Sequence, residues 1–191
     1  MELPGAAVPA RIDSTRLVLR HPLPGDGWAL CEAVAASLDE LRPWMPWAQD
    51  EPSVPASESQ VGLVQAQIES REDWVYLIFE RSAEGEVGAL VGGTGLHRID
   101  SAVPRFEIGY WRRTDRAGRG YVTEAVRALS RMAFEALAAE RLEIRMDDRN
   151  LASARVAERA GFRFEGLLRQ EARGVCGELR DTRVYSRVRA G

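Results

Sequence analysis

Glu107-Ile108-Gly109-Tyr110-Trp111, a short loop and then Ala117-Gly118-Arg119-Gly120-Tyr121 lead into a segment with helical patterning. An extended run thus feeds a glycine-rich turn that opens an amphipathic helix, with Val122, Val126, Leu129, Ala133 and Leu137 on its inner face. The first amides of a helix lack intrahelical partners and lie at the positive end of its dipole. Glycines let backbone approach a bound group closely, so this element is a candidate phosphate cradle. It is not a P-loop, because no Gly-Lys-Ser/Thr follows and the chain has no lysine at all. Nor is it a dinucleotide fingerprint, since a third glycine is missing and the turn follows a fourth strand rather than a first. By themselves the glycines also fit a tight turn before a helix.

Upstream, Arg16–Arg20 reads as a first strand, and Asp26 as the N-cap of a helix with Trp28, Cys31, Val34, Leu38 and Leu41 at helical spacing. The prolines of Leu41–Trp47, then Pro52 and Pro55, break regular structure. Ser57-x-x-Gln60 resembles a capping box for a second helix carrying Val61, Val64 and Ile68. Trp74–Phe79 and Val87–Leu96 flank the turn Ala83-Glu84-Gly85-Glu86 as a hairpin, with Gly92, Gly93 and Gly95 marking a bulge or a close backbone approach.

Phe106–Arg112 is the next strand, followed by the long helix, a strand at Leu142–Met146 and a short helix over 151–160 ended by Gly161. Strands over Phe162–Leu167 and Thr182–Val188 complete the order β-α-α-β-β-β-α-β-α-β-β. The expected fold is one α/β (α+β) domain over residues 15–191 on a mixed, mostly antiparallel sheet, with residues 1–14 a loose lead-in.

The 191 residues suffice for one core, and the formal net charge of −3 does not advertise nucleic acid as a partner. No apolar run approaches the roughly 20 residues needed to span a bilayer, and Met1–Ala7 lacks the features of a signal peptide. Cys31 and Cys176 lack metal-ligand spacing and read as free thiols of a cytoplasmic protein. The all-arginine basic set reads as a composition bias of the source genome.

Asn150-x-x-Ser153-x-x-Val156 with Gly161-Phe162, taken with 107–111 and 118–125, resembles the GNAT superfamily of acyl-CoA N-acyltransferases, most of all its RimJ/RimL branch. Arg16–Arg20 and Leu41-Arg42-Pro43-Trp44 match the usual opening of that branch, so the resemblance spans nearly the whole chain. It implies acetyl-CoA or another acyl-CoA as co-substrate, an amine acceptor (a protein N-terminus or a small molecule) and no metal. It implies no nucleic-acid or membrane partner, and it admits a homodimer.

The resemblance places the coenzyme A pyrophosphate on the amides of Ala117, Gly118, Arg119, Gly120, Tyr121 and Val122. Ala117 stands where the family has Gln or Arg, and Val122 where it has Gly or Ala. Backbone donors survive both changes, and Arg116 or Arg119 supplies positive charge nearby. The strand before the loop is implied to splay from its neighbour, which sets Tyr110, Trp111 and Arg112 beside the pantetheine arm. Trp111 fits the core equally well.

Acyl transfer to an amine requires a neutral amine, a stabilised oxyanion and a protonated leaving thiolate. By resemblance Asn150 bonds the pantetheine arm and Ser153 lies near the sulfur as proton donor. On their own, Asn150 also reads as a helix cap and Ser153 as bonding back to a carbonyl. Glu107 and Glu171 are the candidate bases, each also readable as an ion-pair residue. His97 reads as a polar strand-end residue, because no partner for it is visible in the sequence. Trp44 and Trp47 between prolines, together with the 169–181 link, frame the expected acceptor side. Succinyl or another acyl donor, and a CoA-binding module without turnover, are the alternatives.

Overall fold

The computed structural model describes residues 8–82, 85–100 and 102–189. Eight strands form one sheet: β1 (Arg11–Asp13), β2 (Leu17–Arg20), β3 (Trp74–Arg81), β4 (Val87–Asp100), β5 (Arg105–Arg112), β6 (Arg141–Asp147), β7 (Arg163–Arg173) and β8 (Leu179–Val188). Their spatial order is β1-β2-β3-β4-β5-β6-β8-β7. Every neighbouring pair is antiparallel except β5 with β6. The helices are α1 (Gly27–Ala35), α2 (Leu38–Leu41), α3 (Val54–Glu69), α4 (Tyr121–Ala136) and α5 (Leu151–Arg159).

The inner face expected for the long helix is the one that α4 buries: Val122, Val126, Leu129 and Ala133, with Leu137 just beyond its end. These residues pack with Tyr76, Ile108, Leu142 and Ile144 of the sheet and with Ala154 and Ala157 of α5. The opposite face of the sheet carries Leu77, Phe79 and Leu90 against Ala33 and Leu30 of α1. Strand alternation sends successive side chains to these two layers, giving a helix–sheet–helix sandwich.

Several local expectations are corrected. Within the expected lead-in, Arg11–Asp13 forms a strand on β2, and the Tyr76 hydroxyl donates to the Pro9 carbonyl at 2.7 Å; residues 1–7 of the lead-in lie outside the described residues. The single first helix is two, parted at Ala36–Ser37, where the Ser37 hydroxyl donates to the Ala33 carbonyl and accepts the Thr114 amide. Trp28, at the head of that helical spacing, is 64% exposed.

Asp26 occupies the N-cap position of α1 but its carboxylate pairs with Arg20 at 2.6 Å. Glu58 of α3 instead accepts the Gly25 and Gly27 amides at 2.7 and 2.8 Å, so a distant carboxylate does the capping. α3 starts before the expected capping box. Ser53 is its N-cap, accepting the Ala56 amide, and Pro55 lies in the first turn, where its missing N–H costs nothing.

The expected hairpin of β3 and β4 is present, with a register shift at Ile78/Phe79. Of its turn, Ala83 and Glu84 lie outside the described residues, while the Ser82 amide bonds the Glu86 carbonyl. β4 extends to Asp100, and β7 and β8 are longer than expected, forming a hairpin whose tip lies between Arg173 and Leu179. Those extensions are mostly polar and charged, so ladder hydrogen bonds rather than side-chain pattern define them.

Candidate active site

β5 and β6 pair in parallel over only three positions, Arg105–Glu107 with Arg141–Glu143. β5 then runs on to Arg112 and β6 to Asp147 with no further pairing between them. The strands therefore splay, exposing backbone polar groups of β5 to whatever enters the gap. A cleft of about 760 Å³ opens there, bounded by Ile108–Trp111, Ile144–Asp147, Asn150 and Ser153. Its far wall is formed by Pro43–Trp47, the inner face of α3 and the β7–β8 hairpin tip.

Tyr110 and Ser153 meet across the splay. The Tyr110 hydroxyl donates to the Ser153 carbonyl at 2.8 Å, and the Ser153 hydroxyl donates to the Tyr110 oxygen at 2.9 Å. Burial pushes the Tyr110 phenol above its ordinary range, so it stays protonated. Asn150 is the N-cap of α5, its Oδ1 accepting the Ser153 amide at 3.0 Å. Its Nδ2 group has no acceptor among the described residues, so one side chain both caps the helix and keeps a donor for the cleft.

Between β5 and α4 the chain makes a 3-10 turn at Thr114–Arg116 and then a loop in which Gly118 and Gly120 take φ of +76° and +78°. That left-handed backbone suits glycine. The amides of Gly118 to Thr123 have no backbone acceptor among the described residues. Arg16 anchors the loop from β2's edge: it donates to the Arg119 carbonyl at 3.0 Å, pairs with Glu124 at 2.7 Å and lies over the Tyr121 ring. Arg116 and Arg119 lie 3.4 and 3.6 Å from Glu80, which also accepts the Tyr121 hydroxyl. Ala117 is exposed, whereas the Val122 side chain is buried in the core and leaves only its amide at the loop. The Arg112 Nη1 is buried without a partner among the described residues.

Trp44 and Trp47 both face the cleft, and Trp47 packs edge-on against Trp111 at 5.8 Å between ring centroids. Trp111 itself lies on Gly93, which explains one of the expected close approaches in β4. Glu107 sits behind the cleft wall. Burial raises its carboxyl above the ordinary range, and Arg98, Arg145 and His97 offset part of that rise. Glu171 is engaged by Arg145 at 2.7 Å and by the Thr182 hydroxyl at 2.8 Å, and it does not line the cleft. Of the 169–181 link, Arg173–Val175 and Arg180 reach the cleft.

Sequence reasoning took His97 for a polar strand-end residue and passed over Asp73, yet both line the cleft and pair at 3.0 Å. Their separation along the chain hid the pair. The available signal was the position of each at an end of one of two strands already expected to pair.

The acetyltransferase (GNAT) domain family matches residues 16–163 of this chain. "Probable N-acetyltransferase YjcK" of Bacillus subtilis is 33% identical over 140 residues, covering 73% of this chain and 75% of that one. The ribosomal-protein-serine acetyltransferase of Escherichia coli is 31% identical over 99 residues, 52% of this chain and 55% of that one. The fold matches that of RimL, a ribosomal L7/L12 α-N-protein acetyltransferase solved with coenzyme A, at a TM-score of 0.81 and 24% identity over 95% of this chain and 97% of that one. With a splayed strand pair, an acceptor-free amide loop and a family match over most of its length, the chain belongs to the GNAT acetyltransferase family, whose members use acetyl-CoA as acyl donor.

Proposed function

We propose that the protein acetylates a primary amine by direct attack on acetyl-CoA held in the splay between β5 and β6. The observation that carries this reading is the divergence of the two strands after Glu107 and Glu143, directly before a loop with a row of acceptor-free amides. The amides of 118–123 would hold the pyrophosphate, for which neutral backbone donors at a helix N-terminus suffice. Asn150 and the exposed edge of β5 would bond the pantetheine arm, bringing the thioester to Ser153.

The Ser153 hydroxyl is the movable donor of its pair, because the Tyr110 hydroxyl is already committed to the Ser153 carbonyl. Swinging from Tyr110 to the sulfur, it would stabilise and protonate the departing thiolate. Acetyl-CoA supplies the activated acyl group. The residues of this chain orient it, exclude water and move protons.

The acceptor enters from the side of Trp44 and Trp47. A peptide α-amine is the favoured acceptor, supported by the name of the Escherichia coli relative. Two free cysteines support a cytoplasmic setting.

Release of free thiol from acetyl-CoA, with and without peptides beginning in serine and a set of small amines, tests this reading. Amine-dependent thiol release is expected. Thiol release that no amine accelerates would count against it.

A further inference from the structure

His97 lies at the far end of β4 from its tight turn, and its ring rests on a cross-strand pair of glycines, Gly95 of β4 and Gly109 of β5. A Cβ at Gly95 would come within 2.9 Å of Nε2, and one at Gly109 within 3.1 Å of both Nε2 and Cδ2. The two glycines thus make a seat shaped for an imidazole, and Gly109 immediately precedes Tyr110, the partner of Ser153. On its other edge the ring is fixed by Asp73, 3.0 Å from Nδ1.

In the neutral ring, the Asp73 carboxylate 3.0 Å from Nδ1 favours the tautomer with its hydrogen on Nδ1, which leaves the lone pair on Nε2. Nε2 has no partner among the described residues, and both side chains keep about a third of their surface open, 34% for His97 and 28% for Asp73. Both side chains line the cleft, so Nε2 is within reach of a group bound there.

We propose that His97, oriented by Asp73, is the general base that deprotonates the acceptor amine; this rests on the cleft being the site of amine acetylation. Nε2 takes one proton from the bound ammonium, and the imidazolium formed is stabilised by Asp73. The freed lone pair of the amine makes the C–N bond as the C–S bond of the thioester breaks. The second amine proton leaves with the sulfur as thiol, by way of the Ser153 hydroxyl. His97 then returns its proton to solvent, so one proton is released for each acetyl group moved.

The charged groups around His97 are Asp73 before β3, Glu107 opposite on β5, Arg98 beside it and Arg145 on β6. Asp50 and Glu51 border the same cleft from the loop before α3, and α3 itself presents only uncharged side chains to it. Glu107 is therefore the competing base.

The test is kcat against pH at saturating acetyl-CoA, using the best amine of the panel. His97→Gln is expected to lower kcat by about 100-fold near neutrality, the lower end of what a general base contributes. The deficit should shrink as pH rises, because solvent then supplies the neutral amine. KM for acetyl-CoA should be unchanged, and free imidazole should partly restore His97→Ala, whose missing ring leaves its seat open. Should His97→Gln lose the thermal protection given by acetyl-CoA, Asp73→Asn retains the ring and must show the same pH signature more weakly.

Wild-type kcat and pH profile in His97→Gln would overturn the assignment. So would an acidic limb that persists there and vanishes in Glu107→Gln. If the unaltered protein binds acetyl-CoA but acetylates no amine, the reading of the cleft falls, and the amine's base falls with it.

Discussion

Ser153 and Tyr110 exchange hydrogen bonds across the splay, hydroxyl to phenol oxygen at 2.9 Å and phenol hydroxyl to carbonyl at 2.8 Å. One residue comes from the first turn of α5 and the other from the stretch of β5 beyond its pairing with β6, so the pair ties the helix to the splayed strand. Ser153→Ala should lower kcat by about 100-fold while leaving KM for acetyl-CoA within a few-fold, as expected for a donor used mainly on the leaving group. Tyr110→Phe should lower stability by about 1 kcal/mol, the net worth of a typical hydrogen bond. Steady-state kinetics and urea denaturation check the two. A Ser153→Ala enzyme at full speed with chemistry limiting removes the proton-donor role.

Gly118 separates strain from crowding. Its φ is +76° and an added Cβ would meet nothing within 4 Å, so Gly118→Ala adds only the cost of a left-handed alanine. A stability loss of roughly 1–2 kcal/mol is expected. Acetyl-CoA should bind more weakly as well, because relief of that strain turns the neighbouring amides away. Denaturant midpoints and titration calorimetry read the two effects separately. Unchanged affinity in a destabilised variant would place the pyrophosphate elsewhere.

Trp47 is 54% exposed and touches Trp111 edge-on, so its removal leaves the core intact. Trp47→Ala should raise KM for the amine about tenfold, roughly 1.4 kcal/mol of lost binding, and leave KM for acetyl-CoA alone. The opposite pattern would move Trp47 from the acceptor side to the donor side.

Acid should unfold the protein through a few paired carboxylates. Arg141 and the Ser186 hydroxyl hold Glu165 at about 2, and Arg149 holds Asp147 below its ordinary value. Burial pushes Glu124 up, but the Arg16 amide, the Ser14 hydroxyl and the Arg16 guanidinium outweigh it and leave it depressed. A carboxyl depressed in the fold stabilises above its unfolded pKa and loses that contribution as pH falls through its folded one. Stability should therefore decline from about pH 4.5 to about pH 2, and Glu165→Gln should flatten the lower part of that decline. Thermal midpoints across this window check it.

The sequence disclosed what depends on local pattern. α4 could be read from five apolar positions at helical spacing, and the loop before it from Gly118 and Gly120, because a helix stripe and a positive φ leave their mark in neighbouring residues. The placement of Asn150 at the head of a short helix, one turn before Ser153, was legible from their spacing. Contacts made over distance were not. Glu58 caps a helix that begins 31 positions earlier, and Asp73 meets His97 only because β3 and β4 fold back on each other. The outer part of β7, beyond Leu167, escaped for a related reason. β7 is exposed along nearly its whole length, so it has no buried face to impose an alternating pattern.

The chain lacks lysine, so its own α-amine is the sole aliphatic amine it can offer as a competing acceptor. Fragment mass spectrometry of a serine-initiated peptide after incubation with acetyl-CoA and the protein is therefore the most direct test of amine acetylation. The expected result is one acetyl group on the peptide's terminal nitrogen, formed in step with free thiol. Thiol released with the peptide unmodified, or an acetyl group found on a side-chain oxygen, would contradict it.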